Sequence, residues 1–302
     1  MILQHRNNNR EKRREARKKE VKFNFPPNSS GLNCLNAGCG NRYLNDWVNL
    51  DLRVSKHVRY CDLRKGIPYP DQIFDVAYSS NIIEHLFYKQ GIKFVGELFR
   101  VLKPGGTIRL LTPDLERMAK EYLFNLNEYD KFPTDKTRRK YEWILLELFD
   151  QMTREKSGGL MLEKIQTGDI CPEYVISRTG DELRPLLTAE KRIDPEPGKD
   201  HLHNSFFFQV LRKIVNTLSV VPRGSRSSGK NIPFRESGEL HKWYYDRVSL
   251  KQLLGIAGFV DFKVVDYRNS RIPGWERMNL DISNSDKSPR KPDSIIVEAS
   301  KP

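Results

Sequence analysis

Short apolar runs separated by turn-forming residues set the rhythm of the first third of the chain. Leu32–Asn36 ("LNCLN") and Val48–Asp51 ("VNLD") have the length and composition of buried strands. "HVRYCDL", His57 to Leu63, predicts a third strand ending at Asp62, and "IPYPD", Ile67–Asp71, a turn. "IFDVAYSS", Ile73 to Ser80, predicts a fourth strand with the helix-like "NIIEHL" behind it. From Ile92 to Leu102 the period changes, and Ile92, Val95, Leu98, Phe99 and Leu102 share one helical face. "KPGG" ends that helix, since proline cannot continue it and two glycines turn the chain. Thr107–Thr112, "TIRLLT", predicts a fifth strand. Strands alternating with helices in this way predict a parallel sheet covered on its faces.

Beyond Pro113 the order changes. "LERMAKEYLFNL", "RRKYEWILLELFDQM" and "FFFQVLRKIVNTLSV" are helical stretches, and "RIDPEPGKDHLHN" and "VPRGSRSSGKNIP" are loops between or after them. The alternation resumes with a helix at Val248–Ile256, a strand at Asp261–Asp266 and a last strand at Asp293–Ala299. The expected organisation is a tail and linker at 1–31, one α/β domain made of 32–113 and 241–302, and a helical insertion at 114–240.

Composition adds limits rather than a function. With 302 residues, 38% of them hydrophobic, the chain can bury a sizeable core. No apolar run approaches the roughly 18 to 20 residues that span a bilayer, and the N-terminal residues lack the apolar stretch of a secretory signal. Cys34, Cys39, Cys61 and Cys171 form no CxxC pair and no zinc spacing, and read as reduced thiols of a cytoplasmic protein. The net charge of +13 raises the question of a nucleic-acid partner, but much of it is local. Residues 1–22 hold nine Lys/Arg against three acids, a pattern shared by a solvated helix, a disordered tail and an anion-binding arm.

The candidate chemistry sits in "LNAGCGNRYLNDWVNLDL". A strand ends in Gly38-Cys39-Gly40, where glycines let a ligand approach the backbone, and Asp51 closes the next strand eleven residues after Gly40. A dinucleotide site would place its acid about 20 residues on, after a full helix, and would want a third glycine where Tyr43 stands. The segment "NRYLNDW" has room for about two helical turns at most, shorter than a usual parallel crossover. One sheet face must therefore be covered by something other than a first helix, and the N-terminal helix or part of the insertion is the expected cover.

These residues together resemble a class I S-adenosylmethionine-dependent methyltransferase of the type 11 group. "LNAGCG" resembles the family's first motif, "NLDL" its second, "YCDL" its adenine-loop acid and "FDVAYSSNIIEHL" its fourth strand and active-site edge. "RVLKPGG" and "SLKQLLGIAGF" resemble the helices around its fifth strand, while "TPDLERMAKEY" and "RIPGWERMNLD" resemble members associated with glycan and polysaccharide pathways. The resemblance implies a Rossmann-like seven-stranded sheet, mostly parallel with its last strand antiparallel, here with a large helical insertion after strand five and a shortened first crossover.

For the cofactor S-adenosyl-L-methionine it implies contacts from Asn36, Ala37, Gly38, Cys39, Gly40, Asp51, Leu52, Asp62, Leu63, Ser79, Ser80 and Asn81. Asp51 would accept the ribose hydroxyls, Asp62 would face the adenine amino group with Leu63 near the ring, and Ser79 to Asn81 would meet the methionine end. Asn36 stands where the family often has an acid. His85 would lie close to the transferred methyl as a proton acceptor or as a structural group, and His241 would be a substrate contact, a base or a packing residue. No metal is required, and His201, His203 and Asp200 in "DHLHN" read as a loop. The implied activity is O-methylation of a saccharide, glycan or related small acceptor. An RNA methyltransferase using the basic arm is the alternative, without supporting motifs, and a non-catalytic binding protein of the same fold is the third reading.

Overall fold

The computed structural model describes residues 31–189, Phe234 and 238–302. The basic tail and nearly all of its linker, the stretch "FFFQVLRKIVNTLSV" and the histidines of "DHLHN" lie outside the described residues.

Seven strands form one sheet: β1 (Cys34–Ala37), β2 (Val48–Asp51), β3 (Arg59–Tyr60), β4 (Phe74–Ser80), β5 (Leu102–Pro113), β6 (Val260–Val265) and β7 (Ser294–Ser300). Their order is β3-β2-β1-β4-β5-β7-β6. β1 to β5 pair in parallel, and β7 runs antiparallel to both β5 and β6. β1 and β4 are buried over most of their length, as expected of central strands covered on both faces. β3 is only two residues long and exposed, so the strand expected from His57 to Leu63 is cut short. Asp62 instead caps a single 3-10 turn, Leu63–Lys65, by accepting from the Arg64 N–H.

Helix α1 (Tyr88–Val101) buries Phe94, Val95, Leu98 and Val101 against the sheet. It stops where Leu102 turns extended, and β5 starts at that residue, earlier than its apolar core suggests. The register between β4 and β5 jumps from Phe74↔Leu102 to Val76↔Thr107, and the extra residues, Lys103–Gly106, form a bulge within β5. Helix α7 (Arg247–Ile256) covers the same face with Leu250, Leu253 and Leu254.

Between β5 and α7 the described chain is helical: α2 (Leu115–Lys131), α3 (Asp135–Leu145), α4 (Gly159–Thr167), α5 (Pro172–Thr179) and α6 (Arg184–Ala189). α3 runs on through a π turn, Leu146–Asp150, to Thr153. Trp143, Met161, Ile165, Val175, Leu183 and Leu186 belong to a core of these helices, distinct from the clusters on the sheet. Within it Glu147 is buried, accepts from the Trp143 indole at 2.8 Å and pairs with Arg178 at 2.6 Å.

Residues 38–47, which join β1 to β2, contain no helix. Two buried strand asparagines hold this connection instead. The Asn36 amide donates to the Arg42 carbonyl at 3.0 Å, and the Asn49 amide to those of Leu44 and Trp47 at 2.8 and 3.0 Å. The sheet face left bare is covered by the β6–β7 connection, residues 266–293. Ile272, Trp275 and Leu280 from it pack with Trp47, Tyr78 and Leu111. Among the described residues the insertion does not provide this cover, contrary to expectation; the N-terminal residues and 190–233 of the insertion lie outside the description. The Arg109 guanidinium, fully buried, fastens the segment by pairing with Asp281 at 2.8 Å and with Glu298 of β7 at 2.7 Å.

Candidate active site

The chain turns sharply after β1. Gly38 has φ +79°, and a Cβ there would sit 2.2 Å from Ile82 Cγ1, so glycine is required on two counts. The Gly38 and Cys39 N–H groups both donate to the Leu50 carbonyl, at 2.8 and 3.1 Å, tying the turn to β2. At the end of β2, Asp51 accepts from the Gly40 N–H at 2.8 Å through Oδ2 and from the Arg53 N–H at 3.0 Å through Oδ1. A carboxylate with two oxygens keeps further acceptor capacity after these bonds. Asn36 uses its amide N–H on the loop, while its buried Oδ1 has no hydrogen-bond partner.

A cavity of about 610 Å³ opens from this turn. Ten of the twelve residues expected at the cofactor line it: Asn36, Gly38, Cys39, Gly40, Asp51, Leu52, Asp62, Leu63, Ser80 and Asn81. Ala37 and Ser79 do not. Ala37 is fully buried in its strand, and the Ser79 hydroxyl donates to the Ala37 carbonyl at 2.8 Å, which ties β4 to β1. Asp62 reaches the cavity already engaged: the Arg64 Nε and Nη2 donate to it at 2.8 and 3.0 Å and hold its carboxyl below the usual range. Burial, and then the charge of Asp51, push the Cys39 thiol up to about 12, so it lines the site as a neutral group.

At the other end of the cavity stand Glu84, His85 and His241. Glu84 and His85 lie on the 3-10 turn Ile83–His85 that follows β4. His241 arrives from the strand-like entry to α7, which is anchored where Lys242 N–H donates to the Glu84 carbonyl at 2.6 Å and Leu115 N–H to the Tyr245 carbonyl at 2.9 Å. The two imidazoles meet edge to face with centroids 4.8 Å apart. Burial lowers His85 to about 4 and His241 well below its ordinary value, so both rings are neutral near pH 7. Glu84 is completely buried. One oxygen accepts from the Thr112 hydroxyl at 3.1 Å, the other has no partner, and desolvation pushes the acid up to about 7.

Sequence reasoning brought His85 and His241 forward separately and did not foresee their contact. It also missed the polar wall facing them. Arg154 and Glu182 come from the helical segment, and Arg290, Lys291 and Asp293 from the end of the β6–β7 connection. Arg290 donates to the Ser80 hydroxyl at 2.9 Å, and Lys291 pairs with Glu182. "RKPD" ahead of the last strand carried no local signal of this, because only the topology brings it beside β4.

A seven-stranded sheet of this order, with β7 reversed, a glycine turn after β1 and an acid closing β2, is the Rossmann-like fold of class I methyltransferases. The cradle fits that class's cofactor, S-adenosylmethionine. Asn36 Oδ1 is a bare acceptor for a donor group, Gly38 leaves no side chain in the way, and Asp51 retains capacity for hydroxyls.

Residues 44–110 match the family described as methyltransferase domain. A probable S-adenosylmethionine-dependent methyltransferase of Mycolicibacterium smegmatis is 35% identical over a segment covering 28% of this chain and 39% of that protein. The chain thus spans well under half the length of that curated relative. Among solved structures, a SAM-dependent methyltransferase of Thermotoga maritima aligns over 90% of this chain and 82% of its own, at 13% identity and a TM-score of 0.36. One from Mesorhizobium loti aligns over 91% and 93%, at 13% identity and a TM-score of 0.35. The part of the chain that matches a methyltransferase domain, residues 44–110, runs from the β1–β2 loop into β5 of the sheet described above. Among the described residues, no helix is long and apolar enough to cross a membrane.

Proposed function

We propose that the protein methylates an oxygen of a small polyhydroxylated acceptor, of saccharide or glycan type, and that the helices between β5 and α7 form the acceptor wall. The carrying observation is the continuity of one cavity from the glycine turn and Asp51 to the Glu84–His85–His241 cluster, with a wall of paired charges opposite. S-adenosylmethionine, when bound, supplies an activated methyl group on a sulfonium. Asn36, the Gly38–Gly40 backbone and Asp51 would hold it, with Asp62 and Leu63 at its adenine end. The protein's own tasks are then alignment and removal of the acceptor's proton. Two neutral imidazoles beside a desolvated carboxylate supply the polar groups for the second task. Arg290, Lys291, Glu182 and Asp293 offer both donors and acceptors, as a ligand rich in hydroxyls requires.

The test is isothermal titration of S-adenosylmethionine into wild type and Asp51→Asn, with NAD as control, followed by a labelled-methyl acceptor screen. Asn is preferred to Ala because Asp51 also holds the Gly40 and Arg53 N–H groups. Micromolar binding weakened at least about tenfold in the variant, together with base-stable label on a sugar, supports the reading. Failure of folded wild type to bind the cofactor would leave a non-catalytic protein. Label entering RNA, with strong salt dependence, would replace the saccharide.

A further inference from the structure

We propose that Glu84, His85 and His241 form a binding site for one divalent transition-metal ion at the acceptor end of the cavity. One donor atom from each residue lies within 4.8 Å of the other two. Donors around a tetrahedral ion with bonds near 2.05 Å are about 3.3 Å apart, so an ion would draw the three groups together on binding.

The hydrogen bonds around the cluster leave one lone pair unengaged on each residue. His85 Nδ1 lies 3.2 Å from the Leu240 carbonyl, which can only accept, so Nδ1 carries the proton and Nε2 is the free donor atom. His241 Nδ1 lies 3.3 Å from the Tyr244 hydroxyl, whose own proton goes to the Glu147 carbonyl at 2.7 Å. The hydroxyl therefore accepts from His241, and Nε2 of that ring is again free. Glu84 has one oxygen fixed by Thr112 and the other buried without a partner. An imidazole oriented through its second nitrogen by a carbonyl or hydroxyl, and a carboxylate with one oxygen anchored, are the outer contacts that metal sites use. A bare carboxylate oxygen in a closed site is costly unless a cation or donor meets it. Lys291, the cation whose charge reaches Glu84, is itself paired with Glu182.

Two histidines and one carboxylate suit Zn²⁺, Mn²⁺, Fe²⁺ or Co²⁺ rather than Mg²⁺ or Ca²⁺, and they leave positions open for a ligand oxygen. The inference rests on the methyltransferase reading only for its meaning there: the ion would orient an oxygen acceptor and lower the pKa of its hydroxyl, so the two histidines and Glu84 would serve proton removal through the ion rather than as direct bases.

The test reads the metal directly, without cofactor or turnover. Chelator-stripped full-length protein is titrated with Co²⁺ and followed by visible d–d absorption and calorimetry. The expected result is one equivalent bound, displaced by Zn²⁺ and not by Mg²⁺. Glu84→Gln and His241→Asn should bind at least about tenfold more weakly, and Tyr244→Phe, which removes the partner of His241 together with the bond to the Glu147 carbonyl, about 10–100-fold more weakly. His201→Asn/His203→Asn should bind like wild type. Folded wild type that takes up no stoichiometric metal overturns the proposal. So does binding that survives in Glu84→Gln and His241→Asn, or that disappears in the His201/His203 variant. Loss of S-adenosylmethionine binding with Co²⁺ binding intact would refute the methyltransferase reading and leave the metal site standing.

Discussion

Arg109→Met tests what replaces the first crossover helix. Arg109 is fully buried on β5. It donates through Nε to Asp281 at 2.8 Å and through Nη1 to Glu298 at 2.7 Å. It also donates to the carbonyls of Asn269 and Asp266, both at 2.9 Å. Its guanidinium also stacks over Trp275 at 4.3 Å. Methionine keeps the apolar stem and removes every one of those bonds. Glu298 retains the Arg271 N–H at 3.0 Å, whereas Asp281 is left with the Tyr78 hydroxyl at 2.6 Å as its side-chain donor. Removing one partner of a buried ion pair costs about 3–5 kcal/mol, and we expect about 4 kcal/mol here. Against a typical total of about 5–15 kcal/mol, the variant should fold but unfold at much lower urea. Adding Asp281→Asn, which removes the stranded charge and keeps an acceptor for Tyr78, should recover about 1 kcal/mol or more. Urea unfolding followed by circular dichroism measures both. A loss below about 1 kcal/mol for Arg109→Met, or a further additive loss with Asp281→Asn, would refute the claim that this network clamps residues 266–293 to the sheet.

Gly38→Ala adds a Cβ at φ +79° and 2.2 Å from Ile82, which should cost about 2 kcal/mol and weaken S-adenosylmethionine binding as Ile82 is displaced; melting and titration that match wild type would refute this. Cys39, held near 12, should have only about 10⁻⁴ of its thiol ionised at pH 8. Cys34, also held near 12, is still more buried, so peptide mapping after iodoacetamide should find the half-exposed Cys171 labelled first and Cys34 and Cys39 last. Asp246 caps α7 by accepting from the Val248 and Ser249 N–H groups at 2.9 and 2.8 Å, and Asp246→Ala should cost about 1 kcal/mol at pH 7. Those bonds hold its folded pKa below the ordinary 3.8. The cap's contribution is therefore complete above 3.8 and lost as pH falls through the folded value, so urea midpoints of variant and wild type should converge in acid.

Elements with a strong local period were legible before the structure. β1, β2, β4 and α1 begin and end within a residue or a few of their apolar runs, since a central strand or an amphipathic helix must present apolar residues at a fixed spacing. Gly38 and Asp51 were legible for the same reason, each being fixed by the strand next to it. β3 was overread because Arg59 and Tyr60 are exposed at the sheet edge and the chain turns at Asp62. α4, α5 and α6 were not read at all; they have nine, eight and six residues, too short for a period to stand out, with glycines at 158, 168 and 180 marking breaks. Ser79 lies outside the cavity because its hydroxyl turns to the Ala37 carbonyl, a direction sequence order cannot give.

The least legible feature joins the fold to the site. Ile272, Trp275 and Leu280 sit in a connection whose one helical turn, Trp275–Met278, is too short for their spacing to carry a period, yet they close a sheet face that a helix would otherwise cover. The same connection ends in Arg290, Lys291 and Asp293, which line the cavity beside the Glu84–His85–His241 cluster. Arg290 is held on both sides, by the Leu280 carbonyl at 2.9 Å and the Ser80 hydroxyl at 2.9 Å. Leu280 is thus at once a plug in the apolar face and an anchor for a site residue. A change that loosens Trp275 or Arg109 must therefore act twice, lowering stability through the exposed face and misplacing Arg290 at the cavity. The short loop between β1 and β2 and the composition of the acceptor wall are, on this argument, two ends of a single structural choice.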